Sequence, residues 1–208
     1  MNFSELSERA KDNARGEYRG PGYMDYNWWD NVYDDAVHMG ALMGIAISSE
    51  KKKTSNGKHT YNDIGIQFSG FCCQGDGACF EGGYCIVKDG LEKITAETND
   101  EELIRIAGML SVFQLARRLK GLEPFSAVIK ASGYYSHSGT MDVDVQVEED
   151  TDYSDLKKDV TQLMRDFADL IYKWLEQEFD WLMSDECVDE HLNELEFDED
   201  GAVVEYLS

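Results

Sequence analysis

The chain has 208 residues, with 42 Asp and Glu against 19 Lys and Arg, a formal charge of −23. Hydrophobic residues make up 42% and aromatics 12%, enough to build a buried core and to exclude a disordered polyanion. The charge excludes a role in which the chain itself grips nucleic acid or an anionic membrane, because both would repel it.

The charge is unevenly spread. Lys173 is the last basic residue, and 13 carboxylates follow it. From Glu148 to Ser208 there are 21 acids against 4 bases, a balance of −17. No apolar run approaches the roughly 18 to 20 residues that a membrane span requires. The first residues, MNFSELSERAKDNARGEYRG, are charged and lack the apolar core of a signal peptide, so a cytoplasmic protein is expected. The five cysteines are then expected as reduced thiols.

In chain order, residues 4–15 predict a short helix, followed by an aromatic Gly/Pro stretch expected to be ordered. Trp29, Val32, Tyr33, Ala36, Val37 and Gly40 recur at helical spacing, and the neighbouring Trp28 and Trp29 are expected as core or anchor aromatics. Strands are expected at 44–49, 61–69 and 78–87, with a turn at Asn56-Gly57, making an antiparallel meander. Residues 100–119 return to helical period, opened by Asp100 and Glu101 and closed by Arg117, Arg118, Lys120 and Gly121. FSAVIKAS and TMDVDVQV predict two more strands. In the second, Met141, Val143, Val145 and Val147 are expected inward and Asp142, Asp144 and Gln146 outward.

The longest helix is expected from Asp155 to about Asp185, on a broad stripe running from Leu156 to Leu182. Asp200-Gly201 predicts a closing hairpin. The sum is an α+β fold, with an antiparallel sheet of about five strands covered by helices. Residues 1–27 are expected as an N-terminal helix and loop. Residues 28–208 are expected as one domain with an acidic last third, 148–208.

That last third is the first candidate site. Asp155, Asp159, Asp166, Asp169, Glu176, Asp180 and Asp185 are expected to project from the long helix as a partner-binding acidic face. A continuous helix over about 153–191 would be about 58 Å long. It would carry one excess charge per roughly 3.4 Å, near half the axial density of duplex DNA. A basic groove built for DNA is the complementary surface.

The second candidate is a loop. QGDGAC and YSHSG supply Gln74, Asp76, Cys79, Ser136 and His137, a set able to bind a small ligand or to pair a thiol with an imidazole. The glycines fit neither a P-loop nor a Rossmann turn, since no Gly-Lys-Ser/Thr and no helix follows. Adjacent Cys72-Cys73 and the wide Cys79–Cys85 spacing do not match a zinc knuckle, and no metal or other cofactor is expected.

FSGFCCQGDGACFEG (Phe68–Gly82) and YSHSGTM (Tyr135–Met141), with Trp28–Trp29 and the acidic C-terminal helix, resemble a family of small acidic proteins of bacteriophages and prophages. The resemblance spans most of 28–200. Members are uncharacterised or loosely labelled as antitoxins, so it implies a phage origin and no catalytic residue. Together with the acidic last third, that origin leads to the expectation of a non-enzymatic binding protein in a bacterial host cytoplasm. Such a protein would inhibit a restriction, CRISPR or other nucleic-acid-binding partner, with DNA mimicry as its route. Neutralising a basic toxin is one alternative, and ligand binding or catalysis at the two loop segments is another. A homodimer is compatible with either binding role.

Overall fold

Asp100 accepts hydrogen bonds from the backbone N–H groups of Glu102 (2.9 Å) and Leu103 (3.0 Å), and so starts a helix where the sequence places its acidic cap. The computed structural model describes residues 1–20, 27–53, 60–149 and 152–206. Within them lie α1 (Glu8–Tyr18), α2 (Asp30–Met43), α3 (Gly90–Glu97), α4 (Glu101–Leu119), α5 (Ser154–Leu182) and α6 (Asp185–Leu192). The strands are β1 (Ile45–Ile47), β2 (Ser49–Lys53), β3 (Thr60–Ile64), β4 (Ile66–Phe68), β5 (Ala78–Phe80), β6 (Gly82–Tyr84), β7 (Ser126–Ala131), β8 (Met141–Gln146), β9 (Leu195–Phe197) and β10 (Val203–Tyr206). The fold is α+β, as expected. The Asn56-Gly57 turn and residues 21–26 of the aromatic stretch lie outside the described residues.

Contacts divide the chain into two compact units. The larger is Asn31–Trp174; the smaller joins Met1–Asp30 to Leu175–Ser208, so the division falls within α5.

In the larger unit, four antiparallel strands pair in the order β1-β6-β7-β8. Alternation sets the buried face: Met141, Val143 and Val145 are buried, and Asp142, Asp144 and Gln146 are exposed. Three further two-stranded ladders account for the remaining strands, one of them in the smaller unit. Phe167 of α5 is fully buried, 5.7 Å from the ring of Phe80. Gln114 of α4 donates to Phe125 O (2.9 Å) and accepts from Phe125 N (3.3 Å), which satisfies a polar side chain inside the core.

The meander differs from its expected form. Each of its three strands is broken once, at Ser48, Gly65 and Glu81, and changes partner there: β1 pairs β6, β2 pairs β3 and β4 pairs β5. The three breaks close on each other through Ser48 N→Glu81 O, Gly65 N→Ser48 O and Glu81 N→Gly65 O, each 2.8 Å. This ring meets the backbone hydrogen-bonding demand at the point where three ladders diverge. It also brings β5 and the loop before it against Tyr135–Met141.

In the smaller unit, Phe3, Leu6, Ala10 and Ala14 pack against Val188, Leu192, Leu195 and Phe197. The expected hairpin is present: β9 and β10 pair around Gly201, whose φ is +91°. A Cβ at Gly201 would stand 2.1 Å from Ala10 O, so the turn presses directly on the backbone of α1.

Candidate protein-binding surface

Over residues 154–174, α5 carries Asp155, Asp159, Asp166 and Asp169, but also Lys157, Lys158, Arg165 and Lys173. Asp155, Asp159 and Asp169 are exposed. Asp166 is half-buried and held by Arg105 and by Gln162 Nε2 at 2.7 Å. This stretch is electrically balanced. α5 also ends at Leu182, where Ser184 accepts from Cys187 N (3.2 Å) and caps a separate helix, α6. The single helix expected over about 153–191 is therefore two, and the uniform charge spacing drawn from it does not apply.

The excess lies elsewhere. The smaller unit holds 19 acids against 4 bases, and the larger unit 23 against 15. Glu176, Asp180, Asp185, Glu186, Glu190, Glu194, Asp198, Glu199 and Asp200 are all exposed. Three of the unit's cations are already engaged. Lys11 pairs with Glu8 (3.1 Å), Arg15 with Asp12 (3.3 Å) and with both oxygens of Asp189, and Arg19 with Asp185. The hydrogen bond from Arg19 holds the Asp185 carboxyl below its usual range. Asp189 anchors Arg15 from α6 to α1, and that bond in turn raises the Arg15 guanidinium. These pairs tie the unit together, while most of its other described carboxylates face solvent. Trp28 packs 5.7 Å from Phe179 and 5.7 Å from Trp29, which makes the tryptophans half-buried packing aromatics of this unit.

A second acidic feature belongs to the larger unit. Asp100, Glu101 and Glu102 at the start of α4 face Asp166 and Asp169 across a depression of about 550 Å³, with Leu170 and Lys173 on its wall. Arg105 bridges Glu102 (2.6 Å) and Asp166 there. The depression is less negative than its carboxylate count suggests, since two cations share it.

The two loop segments do meet. Ser69 Oγ donates to Ser136 O (3.3 Å) and accepts from Gly77 N (3.3 Å). A Cβ on Gly77 would lie 3.2 Å from both Cα and Cδ2 of His137. Asp76 is spent on the turn, accepting from Cys72 N (2.9 Å) and Cys73 N (2.7 Å). Gln74 is exposed, and Ser136 is half-buried. His137 Nδ1 accepts from Gly139 N at 2.8 Å, which uses the nitrogen on that side of the ring.

Cys79 is 1% exposed, and burial pushes its thiol up, against the smaller opposing effects of hydrogen bonds with Thr140 and the His137 backbone. A nucleophilic cysteine needs the opposite shift. The pair thus has the chemistry of loop packing. Among the described residues no cluster of three His, Cys, Asp or Glu side chains is placed to hold a metal ion, and no helix is long and apolar enough to cross a membrane.

Residues 28–185 match the model of a domain of unknown function (DUF8835), and the chain belongs to that family. Among curated proteins and solved structures, none matches the chain. The family match begins at Trp28 and ends at Asp185, so it covers the larger unit and α5. It leaves out all of α1 and, beyond Asp185, all of α6, from which the smaller unit is built.

Proposed function

We propose that this chain is a phage-derived binding protein of the bacterial cytoplasm. It occupies a basic surface of a host or defence protein that handles nucleic acid, such as a restriction or CRISPR component. It acts as a polyanion in place of DNA and not as an enzyme. The observation that carries this reading is the smaller unit: 19 acids to 4 bases, with three of the cations held internally and the remaining carboxylates largely exposed. Fixed charge of one sign raises the local concentration of a cationic partner and speeds its approach. It also costs stability through self-repulsion, which solubility alone does not require.

The same physics serves neutralisation of a basic toxin, and the partner's identity separates the two. A ligand-binding reading of the loops draws support from the contact of Gly77 with His137, but the high thiol of Cys79 argues against covalent chemistry. The test is affinity purification of the full chain from its host, with stepwise salt elution. A nucleic-acid-binding protein released as salt rises supports the proposal, because ionic contacts weaken with screening. Recovery of a partner with an acidic or neutral surface, or retention unaffected by salt, overturns it.

A further inference from the structure

Cysteine is among the residue types most often buried, because its thiol packs as a small hydrophobe. Cys72 and Cys73 break that habit together. They are neighbours in sequence, both are exposed with free thiols, and both stand on the loop from β4 to β5.

The rest of the loop is fastened down. Phe71 stacks on Phe68 at 5.9 Å and meets Tyr172 of α5 at 5.4 Å, and the Tyr172 hydroxyl donates to Gly70 O (3.0 Å). Ser69 N donates to Gly77 O (3.1 Å) across the base of the loop. Asp76 N donates to Cys73 O (3.1 Å) and closes a turn with Gly75 at φ +108°. One carboxylate oxygen, Asp76 Oδ2, accepts from the N–H groups of both cysteines and fixes the backbone between the two thiols. Two accessible thiols are thus held side by side on one clamped peptide. An exposed cysteine with a second thiol beside it can resolve its own sulfenic acid.

We infer that Cys72 and Cys73 form a reversible oxidation site for hydrogen peroxide, closing to a vicinal disulfide that releases the loop from Asp76. One thiolate attacks a peroxide oxygen and the O–O bond breaks. Hydroxide leaves, takes up a proton to become water, and a sulfenic acid remains. The neighbouring thiol attacks that sulfur, the S–S bond forms, the S–O bond breaks and a second water leaves. Two thiols lose two electrons and one peroxide gains them.

The peptide between the cysteines is trans, which sets their Cα atoms about 3.8 Å apart, short of the roughly 4.4–6.8 Å that disulfides span. Closing the ring therefore twists this peptide and turns the Cys73 N–H away from Asp76. A bridge closed against such a clamp is readily reduced, unlike a structural disulfide. Cys85, exposed with no adjacent cysteine, is the internal comparison. The site uses none of the acidic surface, so it is tested independently of the proposed function.

The experiment treats the reduced full chain with hydrogen peroxide, removes the excess, alkylates the remaining thiols and maps the peptides by mass. The expected product is a peptide holding Cys72 and Cys73 that is lighter by two hydrogens and takes no alkyl group. Dithiothreitol restores both thiols. Cys85 instead gives a sulfenic acid that dimedone traps, and so does Cys72 once Cys73→Ser removes its resolving thiol. Hydrogen exchange in 70–77 is faster in the oxidised chain than in the reduced one. Asp76→Ala removes the clamp and slows reduction of the bridge about tenfold, the worth of one hydrogen bond to a charged group. The inference is overturned if both cysteines still alkylate after peroxide, if they bridge separate chains or another cysteine, or if they stop at the trapped acid as Cys85 does. A bridge that leaves exchange in 70–77 unchanged, or whose reduction ignores Asp76→Ala, overturns the release of the loop.

Discussion

Arg15 of α1 and Asp189 of α6 meet through two parallel hydrogen bonds, Nε–Oδ1 at 2.6 Å and Nη2–Oδ2 at 2.7 Å, across 174 residues of sequence. The same guanidinium lies 5.7 Å from the centre of the Phe3 ring, so one side chain joins three segments of the smaller unit. Asp189→Asn keeps the shape but removes the charge. With both groups partly open to water, the expected loss is about 1 kcal/mol. Urea denaturation gives that number, and hydrogen exchange shows faster opening in 1–20 and 185–203. An unchanged midpoint would mean the pair is ornamental to folding.

Gly201→Ala is the harsher change. Its φ of +91° is strained for alanine, and the new Cβ would stand 2.1 Å from Ala10 O, a backbone atom with nowhere to rotate. The expected cost is about 2 kcal/mol or more, read as a lower melting temperature. A neutral result would show that the turn does not press on α1.

Much of the fold was legible because its signals are local. Asp100 at one end of α4 and Arg117, Arg118 and Gly121 at the other bracket the helix as its dipole and caps demand. The alternation in MDVDVQ fixes the buried face of β8. What escaped was non-local or masked by a stronger pattern. The ring of Ser48, Gly65 and Glu81 joins three strands by backbone atoms alone, so side-chain periodicity carries no trace of it. Ser184 followed by Asp185 and Glu186 is a start signal for α6, but the apolar stripe of α5 runs up to it and masks the break.

The short helix α3 buries only Gly90 and Ile94, too few positions to show a helical period between a strand and α4. Of the acidic site, Glu176, Asp180 and Asp185 lie in the charged unit. Asp155, Asp159, Asp166 and Asp169 lie in a balanced stretch, because their neighbouring lysines and arginine share the helix.

Stability should depend on acidity in two opposed ways. Asp185 is held low by the Arg19 hydrogen bond, and Asp152 by the backbone N–H of Ser154 at 3.0 Å. A depressed carboxyl stabilises the fold above its unfolded value, near pH 4, and that contribution is lost as pH falls through the folded value. Repulsion among the exposed carboxylates works the other way, easing as pH falls toward the isoelectric point of about 4.3. The melting temperature should therefore peak near pH 5 and drop below about pH 4. A steady decline from pH 7 to pH 5 would contradict the self-repulsion.

Thiol labelling separates packing cysteines from reactive ones. Cys72, Cys73 and Cys85 are exposed, whereas Cys79 and Cys187 are buried and burial pushes both thiols up. In the native protein at pH 7 an alkylating reagent should modify Cys79 on the order of a hundredfold more slowly than Cys72 or Cys73. Fast, selective modification of Cys79 would return attention to its contact with the His137 segment as a reactive site.

The central claim is that the smaller unit's carboxylates bind a basic partner as a polyanion does. It is tested most directly by the salt dependence of the dissociation constant for that partner, measured for the natural chain and for one carrying Glu176→Lys, Asp180→Lys, Glu190→Lys and Glu194→Lys. All four side chains are exposed. The account predicts a steep weakening with salt for the natural chain, and for the variant a loss of at least about a hundredfold at low salt with a much shallower slope. Equal affinities and equal slopes for the two proteins would contradict it.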